Sequence, residues 1–263
     1  MIEQLTIYTT RIPKVRVGPP SDGGYVVNLE CLCKSSAVFS YGVGNNIFFE
    51  IDYVKATGKK AFCFDHTINP IYIPFGFEKN ITHFLEGISC EKQEKTDTFF
   101  AHYDKYFEKH FDQQENSFEN KVLLKIDIEG NEYEVLSKMD IEKLSKIANG
   151  LIIEFHYLES PQYRAVFFDC LTQINKYFYL THLHGNNFLG NFDFFEKRFA
   201  PDIGEWYIEK FSIPKLLELS FINKEITSYI EVDTREYPIQ EVLDAPNCAS
   251  KIKEADVSFL QKI

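Results

Sequence analysis

No apolar run in this chain approaches the roughly 20 residues that a membrane-spanning helix needs, which argues against a transmembrane protein. The N-terminus, Met1-Ile2-Glu3-Gln4-Leu5, lacks a basic segment followed by an apolar one. No secretory leader is therefore expected, and a cytoplasmic location is. There is no run of five like charges and no Lys/Arg cluster, while the formal charge is -11. A polyanion would be repelled, so neither nucleic acid nor an anionic membrane is an expected partner. The six cysteines, Cys31, Cys33, Cys63, Cys90, Cys170 and Cys248, show no CxxC spacing and sit in apolar segments such as Ala61-Phe62-Cys63-Phe64. They read as reduced core thiols, not as zinc ligands or disulfides. Tryptophan occurs once against 25 phenylalanines, so phenylalanine fills the core. No internal repeat or low-complexity linker divides the 263 residues. One domain over residues 1–263 is expected, with a core at about 20–222 and a C-terminal extension over 223–263.

What is present is an alternation of strand-like and helix-like segments, the pattern of an α/β fold with a parallel sheet. Strands are expected at 36–41, 60–64, 81–85, 122–126, 151–155, 179–183 and 216–222. Helices are expected at 47–57, 96–110, 131–138, from Asp140 to Asn149-Gly150, and onward from Ser160-Pro161. Prolines and a glycine in Asn69-Pro70-Ile71-Tyr72-Ile73-Pro74-Phe75-Gly76 predict an irregular stretch where a helix would normally follow. The aromatic-rich segment 185–213 is too long for a plain turn and reads as a cover over a substrate.

The run Val122-Leu123-Leu124-Lys125-Ile126-Asp127-Ile128-Glu129-Gly130 carries the strongest functional signal. Side chains alternate along an extended segment, so Asp127 and Glu129 point the same way at a strand's carboxyl end. That edge is where ligands sit in open α/β sheets. Two anionic groups placed there need a cation, a donor or a reacting proton. Tyr41-Gly42-Val43-Gly44-Asn45 lies between a strand and a helix, where a glycine turn lets backbone approach a ligand. Asp65 follows Gly44 by 21 residues at the end of the next strand, where an acid accepts from ribose hydroxyls. A nicotinamide dinucleotide wants a third glycine near position 47, and this chain has Ile47 there. A nucleoside without phosphates needs no such glycine, which favours S-adenosylmethionine.

With Asp22-Gly23-Gly24-Tyr25, Ser40-Tyr41-Gly42-Val43-Gly44, Phe64-Asp65, Lys125-Ile126-Asp127-Ile128-Glu129-Gly130, Glu154-Phe155-His156 and His182-Leu183-His184-Gly185-Asn186-Asn187 in that order, the chain resembles FkbM-like class I methyltransferases. The resemblance spans about residues 20–222. It implies a Rossmann-like, seven-stranded sheet ordered 3-2-1-4-5-7-6 with strand seven antiparallel, and S-adenosylmethionine as cofactor. Enzymes of this kind often decorate bacterial capsule or other surface glycans. The implied cofactor site is Tyr41, Gly42, Gly44, Asp65, His66, Gly87, Ile88 and Asp127, with Gly42 and Gly44 toward the methionine part, Asp65 on the ribose and the Gly87 region on the adenine. One departure is visible: the usual acid before the glycine turn is replaced by Ser40 or Tyr41, so Asp127 is left to meet the methionine amino group. Asp22-Gly23-Gly24-Tyr25 is most simply a turn into an early strand, and the resemblance puts Tyr25 near the cofactor side.

His156 ends the strand beside the carboxylate pair and is the expected general base, with Asp127 positioning the reactants and Glu129 as the third catalytic residue. His182, His184, Asn186 and Asn187 are the expected binders of a small polar, saccharide-derived acceptor. Asp127, Glu129, His156 and His184 include ligand types suited to magnesium or manganese, but their spacing matches no dedicated metal motif and no metal is assigned. A dehydrogenase using NAD on the same sheet and a non-catalytic cofactor-binding module are the competing readings. The long C-terminal extension is compatible with a homodimer.

Overall fold

The computed structural model describes residues 2–68, 71–107, 121–202, 204–227, 229–239, 243–245 and 257. Three short strands come first: β1 (Tyr8–Thr9), β2 (Lys14–Val17) and β3 (Tyr25–Asn28), the last two forming an antiparallel pair. The central sheet begins with β4 (Ala37–Tyr41), β5 (Lys60–Phe64) and β6 (Ile81–Phe84). After the small pair β7 (Gly87–Ile88) and β8 (Thr96–Asp97) it continues with β9 (Val122–Ile126), β10 (Ala148–Phe155), β11 (Phe178–Ala200) and β12 (Glu205–Asn223). Across the sheet the order is β6-β5-β4-β9-β10-β12-β11, and only β12 runs against the others. A last strand, β13 (Glu231–Val232), pairs with β1.

Strands covered by helices on both faces must be apolar throughout, and β4, β9 and β10 are buried at every position. Alternation divides their side chains between two layers. Phe39, Tyr41, Leu124 and Ile153 face one layer; Val38, Leu123 and Ile152 face the other. The helices are α1 (Leu29–Lys34), α2 (Phe48–Thr57), α3 (Phe99–His102), α4 (Glu132–Lys138), α5 (Ile141–Ile147) and α6 (Pro161–Tyr177). Gly58, in the left-handed conformation, ends α2, and Pro161 opens α6 where its missing N–H costs nothing. Among the described residues no helix is long and apolar enough to cross a membrane.

Two expectations need correction. The helix expected over 96–110 starts only at Phe99 and widens after His102 into a π-helical turn over Tyr103–Phe107; residues 108–110 lie outside the described residues. The segment 185–213 is not an irregular connection between two short strands. It forms the outer halves of β11 and β12, paired residue by residue from Asn191↔Pro214 to Ala200↔Glu205. Phe194 and Phe211 are buried on one face of this ribbon, and the Arg164 guanidinium of α6 lies over the rings of Phe192 and Phe194. Of the cysteines, Cys31, Cys63 and Cys170 are buried as expected, Cys90 is half-buried and Cys33 is exposed. Cys248 lies outside the described residues, as does Asn69-Pro70 in the irregular stretch and about half of the C-terminal extension.

Candidate active site

The carboxyl ends of β4, β5, β9 and β10 meet at one edge of the sheet. Gly42 leaves β4 with φ 74°, its N–H donating to the Phe64 carbonyl at 3.0 Å. A Cβ on Gly42 would lie 1.6 Å from the Asp127 carbonyl oxygen, so the glycine turn and the carboxylate loop touch through bare backbone. Asp127 reinforces this contact by donating its N–H to the Tyr41 carbonyl at 3.1 Å. Gly44 is different: a Cβ there meets nothing within 4 Å, and open space lies above it.

Asp65 sits beside that space. Its Oδ2 accepts from the Gly44 N–H at 3.0 Å, and its Oδ1 accepts from the Thr67 N–H at 2.8 Å and hydroxyl at 2.6 Å. Burial pushes its carboxyl pKa up, but these donors outweigh burial and hold it below the usual carboxylate value. With about four acceptor positions on a carboxylate, the described neighbours leave one on Oδ2. The side chain has room on Oδ2 for a further donor. His66 lies against Gly87, where a Cβ would come within 2.3 Å of its Nδ1. Asp65, His66 and Gly87 are thus neighbours. Ile88 turns its side chain into the core, and Tyr41 is sealed there as well, stacked on Phe64 with its hydroxyl 3.1 Å from His102 Nδ1. Neither Ile88 nor Tyr41 presents a side chain to a ligand.

On the other side of Gly42 lies a cluster of acids around one histidine. His156 Nε2 is 3.4 Å from Glu129 Oε2 and 3.9 Å from both Asp127 Oδ1 and Glu154 Oε1. The ring is buried, whereas the Glu129 side chain is 80% exposed and opens toward solvent. Glu129 also has φ 55°, an uncommon backbone conformation for a residue with a Cβ. Burial disfavours the imidazolium, but Glu132, Asp127 and Glu129 outweigh it and raise the His156 pKa above the ordinary histidine value.

Tyr25, which the resemblance put near the cofactor side, joins this cluster, and Lys125, Glu50 and Glu154, to which the sequence assigned no role, join it too. Tyr25 donates its hydroxyl to Asp127 Oδ2 at 2.7 Å and lies 3.3 Å from Glu154 Oε2. The Asp22-Gly23-Gly24-Tyr25 turn brings it there: Gly23 packs so closely on Asn46 of the glycine loop that a Cβ would meet the Asn46 amide at 2.3 Å. Lys125 is buried with its ammonium 3.6 Å from Asp127 Oδ2 and 4.7 Å from the Tyr25 ring centre. Burial works against its charge, yet Asp127, Glu50 and Glu154 outweigh that and raise its pKa. Glu50 of α2 accepts from the Ser40 hydroxyl at 2.5 Å, so an acid from the next helix stands beside the strand end that lacks its own. Burial drives the Glu154 carboxyl well above the usual range, and Asp127 and Glu218 push it the same way.

The four expected acceptor binders divide. His182 bonds Asp244 at 2.7 Å and His184 bonds Glu218 at 3.0 Å; both rings are buried and tied into the protein. Asn186 donates to Glu154 Oε1 at 3.0 Å and so joins the cluster, and Asn187 is buried beside it in sequence. One oxygen or nitrogen each of Asp127, Glu129 and His156 lies within 4.8 Å of the others, a spacing compatible with a shared cation, whereas His184 stands apart from that trio.

Residues 22–180 match the methyltransferase FkbM domain. The chain belongs to that family. No curated protein sequence matches it. Among solved structures it is similar to a protein described as a candidate hemolysin from Streptococcus thermophilus, at 9% identity and TM-score 0.37 over 73% of this chain and 60% of that one. The chain thus spans about three fifths of that relative's length. It is similar also to a fibrillarin pre-rRNA processing protein of Methanococcus jannaschii (10% identity, TM-score 0.36, 73% of this chain and 68% of that one). A third is precorrin-8w decarboxylase of Methanobacterium thermoautotrophicum (13% identity, TM-score 0.32, 80% of this chain and 98% of that one).

Proposed function

We propose that this FkbM-domain protein transfers a methyl group from S-adenosylmethionine to an oxygen of a small polar acceptor. The observation that carries the proposal is the backbone contact between Gly42 and Asp127. It joins the open space over Gly44, beside Asp65, to the carboxylate–histidine cluster, so one ligand can span both. The sheet order, with only β12 reversed, supports it.

The residues fit such a cofactor: space over Gly44, one open acceptor position on Asp65, and His66 packed on Gly87. When bound, S-adenosylmethionine supplies an electrophilic methyl on a cationic sulfur. Asp127, Glu129 and Glu132 outnumber Lys125 around His156, a field that favours a cation. Asp127 and Tyr25 position the reactants, and His156 Nε2 takes the acceptor's proton. Asn186 and Asn187 offer amides to a polyol. The acceptor is read as saccharide-derived (a free sugar, sugar phosphate, nucleotide sugar or phosphoramidate-type group), as in capsule or surface-glycan synthesis.

Calorimetric titration with S-adenosylhomocysteine, then labelled S-adenosylmethionine with a panel of sugars, sugar nucleotides and phosphorylated metabolites, tests this directly. No saturable heat with the demethylated cofactor would end the proposal; stabilisation by NADH instead would favour a dehydrogenase.

Two consequences follow from the histidine. A base must be unprotonated, and His156 holds its proton above the ordinary value near 6.5. Turnover is therefore expected to rise with pH through a limb on the alkaline side of that value. A pH–rate profile flat from about 5 to 8 would contradict the assignment. Exhaustive chelation is expected to leave the rate unchanged, because a cation on Nε2 would block its use as a base. Loss of activity restored by magnesium or manganese would instead make Asp127, Glu129 and His156 a metal site.

A further inference from the structure

We infer that Glu132 is a positioning residue for His156, holding the imidazole with its hydrogen on Nδ1 and its electron pair on Nε2, turned toward Asp127 and Glu129. The inference rests on His156 being the proton acceptor. Glu132 lies at the start of α4 and is fully buried. Its Oε1 accepts from the His156 backbone N–H at 2.7 Å and lies 3.2 Å from His156 Nδ1. Its Oε2 accepts from the Gly130 N–H at 2.8 Å. One carboxylate therefore ties the loop after β9 to the end of β10 and touches one nitrogen of the ring. The next residue in α4 completes the clamp, since the Tyr133 hydroxyl donates to the His156 carbonyl.

The consequence is chemical. An ionised carboxylate only accepts, so a ring nitrogen hydrogen-bonded to one carries the hydrogen, and among the described residues it is Glu132, at Nδ1, that makes such a bond to the ring. Nε2 is then the nitrogen with the free electron pair; Glu129 at 3.4 Å and Asp127 and Glu154 at 3.9 Å stand near it without a hydrogen bond. In the other tautomer Nε2 bears a hydrogen and cannot accept one. Without Glu132 the ring would be free to adopt either form or to turn over, and part of the population would be inactive. The titratable groups facing the ring are Glu132 from α4, Asp127 and Glu129 from the loop after β9, and Glu154 from β10, held protonated by burial, with Lys125 behind Asp127.

The test needs neither methyl donor nor acceptor, so its failure is distinguishable from failure of the methyl-transfer reading. In protein carrying ¹⁵N-labelled histidine, the ring nitrogen shifts of His156, assigned by their loss in His156→Asn, report tautomer and protonation. The full-length parent is expected to show the Nδ1–H form above its protonation range. In Glu132→Gln that preference is expected to be lost, with the proton affinity of the ring falling about tenfold, one pKa unit. In Glu129→Gln, which removes a carboxylate from the Nε2 side, the tautomer is expected to stay. A group that merely packs the helix would move neither signal. A parent with its hydrogen on Nε2 overturns the inference, as does Glu132→Gln with the parent's tautomer and affinity. If Glu132→Gln fails to fold, the parent spectrum alone decides.

Discussion

Gly42→Ala is expected to lose about 4 kcal/mol of stability, whereas Gly44→Ala, two residues away in the same turn, is expected to lose about 1 kcal/mol. A Cβ at position 42 would sit 1.6 Å from a backbone carbonyl oxygen of Asp127. No side chain can rotate away to relieve that contact. Either the glycine turn or the loop after β9 must move, and both are anchored by hydrogen bonds to the strand ends. The left-handed backbone adds about 1–2 kcal/mol for any residue with a Cβ, and forced displacement in a packed region adds about 1–3 kcal/mol or more. Together they reach about 4 kcal/mol, a large share of the ~5–15 kcal/mol that holds a domain together. Gly44 shares the positive φ but has nothing within 4 Å of its Cβ position. Its alanine variant is expected to cost only about 1 kcal/mol of stability while projecting a methyl into the space assigned to the nucleoside. Denaturant midpoints for both variants, beside calorimetric titration of Gly44→Ala with S-adenosylhomocysteine, separate the two roles. Equal losses of stability would mean that the Gly42–Asp127 contact does not organise the edge.

That contrast also marks how far the sequence could be read. The strands of the sheet were legible because parallel strands buried on both faces read as short, continuous apolar runs between turn signals. The outer ribbon of β11 and β12 was not. Alternation of apolar and polar residues identifies a strand with one wet face, but here aromatic residues occupy both faces: Phe194 is buried and its neighbour Phe195 is exposed. With Gly190, Pro201 and Gly204 interrupting it, the pattern reads as an irregular loop.

The site divides along a similar line. Asp127, Glu129 and His156 could be placed together because each ends an apolar strand, and strand ends converge in this architecture. Tyr25 and Glu132 reach the cluster through contacts 102 and 24 residues apart in sequence, which no local pattern records. Lys125 and Glu154 did leave a trace. Each is a charged residue inside an otherwise apolar strand, and a charge placed there needs a partner. They are each other's second neighbours through Asp127 and Tyr25. His182 and His184 show how little alternation says about partners. Their alternation suggested a binding face, but it leads them to the buried carboxylates of Asp244 and Glu218.

The largest effect on activity is expected at His156. In His156→Asn, the asparagine amide can occupy roughly the position of Nδ1 and keep a donor against Glu132 Oε1. The variant loses Nε2 and little else. The buried carboxylate then retains its partners, and the melting temperature is expected to stay near that of the parent. Affinity for S-adenosylhomocysteine is expected to persist, because Gly44, Asp65, His66 and Gly87 lie on the other side of Gly42. Turnover is expected to fall by about 10²–10⁴, the usual contribution of a positioned general base. The acid limb of the pH profile is expected to disappear with it, since no imidazole remains to be freed of its proton. Single-turnover measurement with labelled S-adenosylmethionine, beside thermal denaturation of the same preparation, reads both quantities. Turnover at the parent rate in a folded variant would remove His156 from the chemistry and leave Asp127, bonded by Tyr25 and facing the same opening, as the group to test next.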